Sequence, residues 1–195
     1  MNKTNLQQKK FELKLNGKTC VLIDWANVYG WTGELKREPD ETKIIRYLKN
    51  YKQIKDIRFY FGKDKTEQSK NFLSKIEKLG YKLISKEVKY VKVFDDKGKN
   101  FILKRKCDFD LEIGLDVLEM IDSYDSFIFF SGDGDYETLY QRLIRKNKKI
   151  IVVYVKNRLG REIWAMKKGL FKVELPRLGI LTKNVPRLAS RARLN

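Results

Sequence analysis

The sequence predicts an α/β protein in which a central parallel β-sheet is flanked by helices, with a β-hairpin inserted into this layered arrangement. From Thr19 onwards, short apolar runs alternate with stretches of helical periodicity, which is the pattern of βαβ units. Several of these runs are apolar on both faces, as strands covered by helices on two sides are. The stretch from Val88 to Lys106 departs from the alternation, with two alternating runs around Asp95-Asp96-Lys97-Gly98, and this predicts the hairpin.

The predicted strands and helices follow in a simple order. Right-handed crossovers would place the strands in one sheet. Before the hairpin, the order is strand TCVLID, a helix from about Glu41 to Asn50, strand IRFYF, a helix from about Thr66 to Leu79, and strand YKLIS. After it come a helix from about Asp110 to Ile121, strand SFIFFS, a helix from about Tyr136 to Lys146, strand KKIIVVYV, a short helix from about Arg161 to Lys167, and strand LFKVEL.

The chain is long enough for one globular domain, which we place at residues 17–178. It has 195 residues, of which 42% are hydrophobic, and a chain of this size can bury a sizeable core. Residues 1–16 are polar and basic with little periodicity, which predicts a flexible arm. Residues 179–195 form a basic C-terminal tail, since no acidic residue follows Glu174.

Charge indicates the class of partner. The 43 Lys and Arg outnumber the 25 Asp and Glu and give a formal charge of +18, which favours a nucleic acid partner over an anionic membrane surface or a generally basic proteome. No apolar run approaches the roughly 20 residues of a membrane span, and no signal peptide is indicated. We therefore expect a cytoplasmic protein with no membrane association. We also expect no small organic cofactor, and the sequence is compatible with a homodimer. The absence of histidine excludes His-dependent triads and His-ligated zinc.

Five aspartates stand where a nuclease would need acidic residues: Asp24, Asp110, Asp116, Asp133 and Asp135. The first ends the run TCVLID, and the last two follow FIFFS directly. Ligands of open α/β sheets bind beyond the carboxyl ends of the strands. Three separate stretches of the chain are therefore expected to bring acids to one crevice.

Some of these acids can also be explained by an ordinary structural role, in a turn or as a helix cap. Asp24 taken alone is better explained as a turn residue, so its assignment to the site depends on the convergence of the three stretches. Asn27 either orients a phosphate or water or caps a turn. Asp135 has a second reading as a helix cap, whereas glycines on both sides of Asp133 would let the backbone approach a ligand closely.

The acids of the third predicted helix are not equivalent. Asp110 and Asp116 are about 120° apart around the helix, so Asp110, at its start, is the better metal candidate. Asp116 either supports the site or pairs with a basic side chain. Asp108, just before the helix, is expected to cap it.

A divalent cation would make such a cluster tolerable. Two carboxylates about 5 Å apart repel by about 3 kcal/mol at an effective dielectric near 20. Mg²⁺ or Mn²⁺ suits an aspartate-rich site. A bound ion of this kind activates water and stabilises charge on a cleaving phosphodiester, which would leave 5′-phosphate and 3′-hydroxyl ends.

Side chains around the acids are candidates for holding a nucleic acid strand. Trp25 and Trp31 either pack in the core or stack on bases. Lys63, Lys106 and Arg142 are expected to contact phosphates, although the run from Arg142 to Lys149 also reads as a solvated helix face.

These residues together resemble the NYN domain family, in its LabA-like group within the PIN-like nuclease superfamily. The matching motifs are I-D-x-x-N at Ile23 to Asn27, Lys106 with Asp110 and Asp116, and S-G-D-x-D at Ser131 to Asp135. The resemblance covers about residues 18–178. It implies a Rossmann-like, PIN-like fold, ribonuclease activity, metal binding by Asp24, Asp110, Asp133 and Asp135, supporting roles for Asn27 and Asp116, and a place for Ser131 beside the nucleic acid. Trp25, Cys107 and Gly134 depart from the usual family residues, but none of them removes an acid.

The leading hypothesis is a metal-dependent ribonuclease that acts on single-stranded RNA, with Asp24, Asn27, Asp110, Asp116, Asp133 and Asp135 as its catalytic residues. One alternative is a non-catalytic RNA-binding or regulatory module that retains the acidic site. Another is a phosphotransferase in which Asp24 is the nucleophile, but the second acid usual in such enzymes is replaced by Ala26.

Overall fold

The computed structural model describes residues 11–94 and 100–184, and for residues 181–184 it describes the backbone alone. The strands are β1 (Thr19–Asp24), β2 (Arg37–Pro39), β3 (Ile54–Lys63), β4 (Lys82–Glu87), β5 (Lys89–Phe94), β6 (Phe101–Lys106), β7 (Ser126–Phe130), β8 (Lys149–Tyr154), β9 (Leu170–Glu174) and β10 (Leu181–Asn184). The helices are α1 (Trp25–Gly30), α2 (Thr32–Leu35), α3 (Glu41–Leu48), α4 (Glu67–Leu79), α5 (Asp110–Met120), α6 (Glu137–Arg145) and α7 (Arg161–Ala165), with 3₁₀ turns at Gly134–Tyr136 and Leu175–Leu178.

The centre of the molecule is a six-stranded parallel sheet with the order β4-β3-β1-β7-β8-β9. Strand β1 lies in the middle of this sheet. Strands β3 and β4 are added on one side of it, and β7, β8 and β9 are then added on the other side. The crevice at the carboxyl ends therefore lies where the winding reverses, between β1 and β7. The predicted parallel sheet flanked by helices is confirmed.

Each face of the sheet carries its own core, because side chains alternate along β1. Val21 and Ile23 pack in a cluster with residues of α1, α3 and α4, such as Val28, Leu48 and Ile76. Cys20 and Leu22 face the opposite cluster, to which α5, α6 and α7 contribute Val117, Leu143 and Ile163. Asp24 follows Leu22 by two positions and therefore lies on the α5–α6 face.

None of the helices in the described ranges has the length and apolar character needed to span a membrane.

The β-hairpin is present where the sequence predicts it. Strands β5 and β6 pair antiparallel from Lys89 with Lys106 to Phe94 with Phe101. The predicted turn, residues 95–98, lies outside the described residues. This two-stranded ribbon is separate from the central sheet.

The packed part of the chain extends beyond both predicted domain boundaries. Leu13 is buried in the core, and its backbone N–H donates to the Tyr51 hydroxyl at 3.0 Å. At the other end Ile180 is buried, and β10 pairs antiparallel with β2. The apolar side chains of Leu13 and Ile180 explain these contacts, which place residues 11–16 and 179–184 against the domain. Residues 1–10 and 185–195, the remaining parts of the predicted arm and tail, lie outside the described residues.

Candidate active site at the carboxyl edge of the sheet

Asp24 lies at the carboxyl end of β1 and is 8% exposed. Its side-chain Oδ1 accepts a hydrogen bond from the Asn27 backbone N–H at 3.2 Å, which makes Asp24 the N-cap of α1. The short helix follows because the cap satisfies an amide that would otherwise lack a partner. The carboxylate is thereby held at the top of the sheet with little solvent around it.

Asp133 lies in the loop after β7, the strand next to β1. The Ser131 hydroxyl accepts from the Asp133 N–H at 3.2 Å, and the Asp133 carboxylate accepts from the Asp135 N–H at 3.1 Å. Asn27 joins the two loops, since its side-chain oxygen accepts from the Gly132 N–H at 3.1 Å. Asn27 therefore fixes the Asp133 loop relative to the Asp24 loop.

Three acids are close enough to influence one another electrostatically. Burial raises the pKa of Asp24 to about 6, and the charges of Asp110 and Asp133 contribute to this rise. The pKa of Asp110, the first residue of α5, is raised by burial and by the charges of Asp133, Asp108 and Asp135. Residues from three distant stretches of the sequence therefore meet at one acidic edge.

Two tyrosines, for which the sequence predicted no role, lie beneath this edge. The Tyr136 and Tyr140 side chains are buried, and among the described residues their hydroxyls have no hydrogen-bond partner of standard geometry. Burial raises the pKa of Tyr136, as do the charges of Asp24 and Asp110, and the Tyr136 hydroxyl in turn lowers the pKa of Asp110. Buried hydroxyls are rarely left unpaired. The signal available in the sequence was their four-residue spacing, directly after the acidic loop.

The carboxylates of this edge are the type of ligand that a hard divalent ion prefers, but the side chains of the described residues alone do not form a complete metal site. In the described part of the chain, no group of three or more Asp, Glu, Cys or His side chains is arranged to hold a metal ion. Mg²⁺ is usually bound by one or two carboxylates, with waters and substrate phosphates completing its octahedron. The unfavourable charge of Asp24 and Asp110 and the buried hydroxyls of Tyr136 and Tyr140 are compatible with that mode.

Two cap assignments made from the sequence are wrong. Asp133, and not Asp135, caps the 3₁₀ turn Gly134–Tyr136, and Asp135 is exposed. Phe109 occupies the N-cap of α5 without a side-chain hydrogen bond, so Asp108 does not cap that helix. The N-cap of α5 is therefore one residue after the suggested Asp108, and the cap in the acidic loop is two residues before the suggested Asp135.

The glycines of the Asp133 loop allow close packing between protein segments. A Cβ atom on Gly132 would lie 1.7 Å from the Arg158 carbonyl oxygen, and the Gly160 N–H donates to the Gly132 carbonyl at 2.7 Å. A Cβ on Gly160 would lie 2.5 Å from the Cα of Gly134. Both glycines that flank Asp133 therefore allow a close approach to the loop after β8.

Asp116 lies away from the acidic edge, so the structure does not support the catalytic role predicted for it. One oxygen of its carboxylate accepts from Arg58 Nη1 and from the Tyr60 hydroxyl, both at 2.6 Å. Arg58 Nε also donates to Asp56, at 3.0 Å. Six residues of helix separate Asp116 from Asp110 by about 9 Å, which explains why only one of them reaches the edge. The alternative, a partner for a basic side chain, describes Asp116 correctly.

We expect Asp116→Ala to lower the free energy of unfolding by about 1.5–3 kcal/mol, because Arg58 and Tyr60 both lose an acceptor. Urea unfolding measures this change. If Asp116 is structural, any RNA cleavage per folded molecule remains within a few-fold of wild type. A stable variant without activity would instead return Asp116 to the catalytic group.

Three of the predicted nucleic-acid contacts are buried. The Trp25 ring centroid lies 4.9 Å from that of Phe59 and 5.9 Å from that of Phe72, and Trp25 is 4% exposed. Trp31 and Ser131 are also buried. Both tryptophans belong to the core because α1 packs them against it, so base stacking by these residues is a wrong prediction. Ser131 acts within its own loop.

The predicted basic contacts divide between two parts of the molecule. Lys63 and Lys106 are exposed at the ends of β3 and β6, and Lys63 pairs with Glu87 at 3.6 Å. Arg142 is exposed in the last turn of α6, which is the end of that helix farther from Asp133. Lys63 thus lies at the carboxyl edge of the sheet, and Arg142 lies away from it.

The fold and its acidic edge define a class: an α/β protein with a parallel sheet that gathers carboxylates where its strand order reverses. The chain belongs to the NYN domain family, whose model matches residues 18–164. NYN domains are generally nucleases.

Two similar proteins extend this assignment. The low amplitude and bright protein LabA of Synechococcus elongatus is 27% identical over 152 residues, which is 74% of this chain and 77% of LabA. A solved structure from Vibrio parahaemolyticus, described as a protein of unknown function, has a TM-score of 0.65 and 21% identity and covers 88% of this chain and 100% of its own. The second likeness concerns the fold alone.

Proposed function

We propose that this protein is a metal-dependent ribonuclease that hydrolyses phosphodiester bonds of single-stranded RNA. The observation that carries the proposal is the buried Asp24 carboxylate, whose pKa is raised to about 6 by burial and by Asp110 and Asp133. Perturbed pKa values cluster at functional sites, and carboxylate oxygens are the protein ligands that hard divalent cations prefer. Membership in a family of nucleases and the basic surplus of the chain support the same assignment.

Asp24, Asp110 and Asp133 are the proposed ligands for Mg²⁺ or Mn²⁺, and Asp135 is proposed to act through a bound water because it is exposed beside them. When bound, the ion supplies an activated water and stabilises charge on the phosphate. Asn27 keeps Asp24 and Asp133 in register through its bond to Gly132. The Tyr136 hydroxyl, buried beside Asp110, is positioned to donate to that carboxylate or to a water on it.

The proposed products carry 5′-phosphate and 3′-hydroxyl ends, since the nucleophile is water. The proposed setting is cytoplasmic, with RNA as partner and no organic cofactor. A homodimer is compatible with this proposal and is not required by it.

A non-catalytic RNA-binding module is the alternative, and one observation favours it. Within residues 11–94 and 100–184, no three acidic side chains form a ready metal cage. The module would bind RNA and leave it intact whatever metal is added.

The two functions are separated by incubating purified protein with labelled single-stranded RNA in Mg²⁺, Mn²⁺ or a chelator. We expect the protein to cleave RNA when a metal is present and not in the chelator. We expect Asp133→Asn to abolish cleavage, while its binding of RNA in the chelator persists. Asp122→Asn, which removes an exposed acid at the far end of α5, is the matched control and should cleave as wild type. Binding without cleavage under every condition would establish the module instead.

A further inference from the structure

The ribbon formed by β5 and β6 is exposed on both faces. All twelve of its residues, Lys89–Phe94 and Phe101–Lys106, are solvent-exposed. They include large apolar side chains such as Phe94, 57% exposed, and Ile102, 69% exposed. An isolated two-stranded hairpin is only marginally stable in water, and exposed apolar clusters of this kind mark interaction surfaces.

The pairing register separates the side chains of the ribbon into two sets. On one face, cross-strand pairs place Tyr90 opposite Arg105, Lys92 opposite Leu103, and Phe94 opposite Phe101. On the other face, the pairs are Lys89 with Lys106, Val91 with Lys104, and Val93 with Ile102. Each face therefore carries cations near the base of the ribbon and apolar side chains near its end.

The base of the ribbon is attached to the end of β3. The Arg105 guanidinium donates to the Gly62 carbonyl at 2.7 Å and lies 5.6 Å from the Phe61 ring centroid. The Tyr90 hydroxyl donates to the Asp64 carboxylate. Gly62 and Asp64 lie at the carboxyl end of β3, the same edge that holds Asp24 at the end of β1.

The ribbon also leads directly into the acidic site. Strand β6 ends at Lys106, and Asp110 begins α5 four residues later. The base of the ribbon therefore lies at the carboxyl edge, on the side where β3 ends.

Charge decides the kind of partner. The two strands contain five basic residues and no acidic residue, which complements a polyanion. The Lys92 ammonium lies 4.4 Å from the Phe101 ring centroid, and the Phe94 and Phe101 ring centroids are 5.7 Å apart. Exposed aromatic rings beside cations are the combination by which proteins hold unpaired bases and the adjoining phosphates.

We propose that the β5–β6 ribbon is the arm that holds single-stranded RNA, with Lys92 on a phosphate and Phe94 and Phe101, on the same face, against unpaired bases. The RNA then runs from the ribbon towards Asp24 and Asp133. The inference rests on the proposed function for its substrate class. Arg105 and Tyr90 serve as the anchors that orient the ribbon.

The test measures the affinity of the full chain for single-stranded RNA in a chelator, where no metal-dependent cleavage occurs. Phe94→Ala/Phe101→Ala should weaken binding by at least about 10-fold, the effect of removing the platform for a stacked base, without changing the salt dependence. Lys92→Ala should reduce the slope of log affinity against log salt by about 0.7, which is the contribution of one neutralised phosphate. All three side chains are exposed, so thermal unfolding should be unchanged.

The matched control is Lys52→Ala/Lys55→Ala, which removes two exposed lysines at the opposite edge of the sheet and should leave the slope within a few tenths of wild type. If both ribbon variants bind RNA as wild type does, the ribbon proposal is overturned, whether or not the protein cleaves. If they lose a measurable self-association instead, the ribbon binds a second copy of the chain and the proposal is equally overturned. Loss of RNA binding in a protein that never cleaves RNA supports the ribbon and rejects the nuclease.

Discussion

Replacing Asp24 by Asn is expected to abolish RNA cleavage while making the metal-free protein more stable at neutral pH. Asn retains an oxygen that accepts from the Asn27 N–H, but it carries no charge to bind a cation. We expect kcat/KM to fall by at least about 10³-fold, which corresponds to about 4 kcal/mol less transition-state stabilisation. Cleavage of labelled single-stranded RNA with Mn²⁺ measures this effect.

The stability gain follows from the direction of the pKa shift. Burial, with Asp110 and Asp133, raises the pKa of Asp24 in the folded protein to about 6, above its unfolded value of about 3.9. The folded state therefore carries an unfavourable charge above pH 6, and the Asp24 contribution to the free energy of unfolding falls as pH rises from about 4 through 6. Asn avoids this cost, which is on the order of 2–3 kcal/mol at pH 7.5 and disappears below about pH 4.

Urea unfolding of wild type and Asp24→Asn at several pH values between about 4 and 7.5, without metal, tests the second half of this prediction. Asp122→Asn is the control, because Asp122 is exposed and its replacement should show no such pH-dependent gain. An Asp24→Asn variant that cleaves RNA normally would contradict a role for Asp24 in the reaction. One that is less stable than wild type at pH 7.5 would contradict the unfavourable charge.

Gly132→Ala is expected to be among the most destabilising single-methyl changes in the protein. Its Cβ would lie 1.7 Å from the carbonyl oxygen of Arg158, and this obstacle is backbone that no side-chain rotation removes. The two loops have to separate, which also breaks the bond from the Gly160 N–H to the Gly132 carbonyl. We expect the free energy of unfolding to fall by about 3 kcal/mol or more, or the Tm to fall by about 10 °C.

Cleavage should fall together with stability, because Asp133 follows Gly132 directly and its position depends on the same loop. The matched control is Gly114→Ala in α5, where an added Cβ meets no atom within 4 Å, so that better helix propensity stabilises the protein by up to about 1 kcal/mol. Thermal unfolding of the two variants beside wild type is the measurement. Equal Tm values for Gly132→Ala and wild type would mean that the loops are not packed in this way.

The parts of the site that could be predicted depend on the geometry of parallel strands. Asp24 is the last residue of the apolar strand β1, and Asp133 lies three residues after the end of the apolar strand β7. Carboxyl ends of parallel strands meet at one edge, so the approach of these two acids required no knowledge of packing. Asp110 could be added because it starts the helix that leaves the same edge.

The parts that could not be predicted depend on which surfaces pack together. Trp25 and Trp31 have the same sequence neighbours whether they stack on bases or pack in the core, and only the placement of α1 buries them. In the sequence, Asp116 is an acid on the same helix as Asp110. Only the folded structure shows that Arg58 and Tyr60 both donate to its carboxylate. Tyr140 likewise becomes relevant only when the charges of nearby acids are seen to raise its pKa, in addition to burial.

The sequence by itself determined the sheet, the order of its helices and the edge at which the acids gather, because apolar periodicity sets how each segment is buried and chain direction sets where each strand ends. Only the tertiary structure decided which acids remain unpaired, which aromatic rings enter the core, and how the hairpin is attached beside the site. These features depend on contacts between residues that are far apart in the chain, such as the 58 positions between Arg58 and Asp116. Local pattern carries no information about such contacts, because the same side chain satisfies its chemistry equally well in solvent, in a salt bridge or in a core.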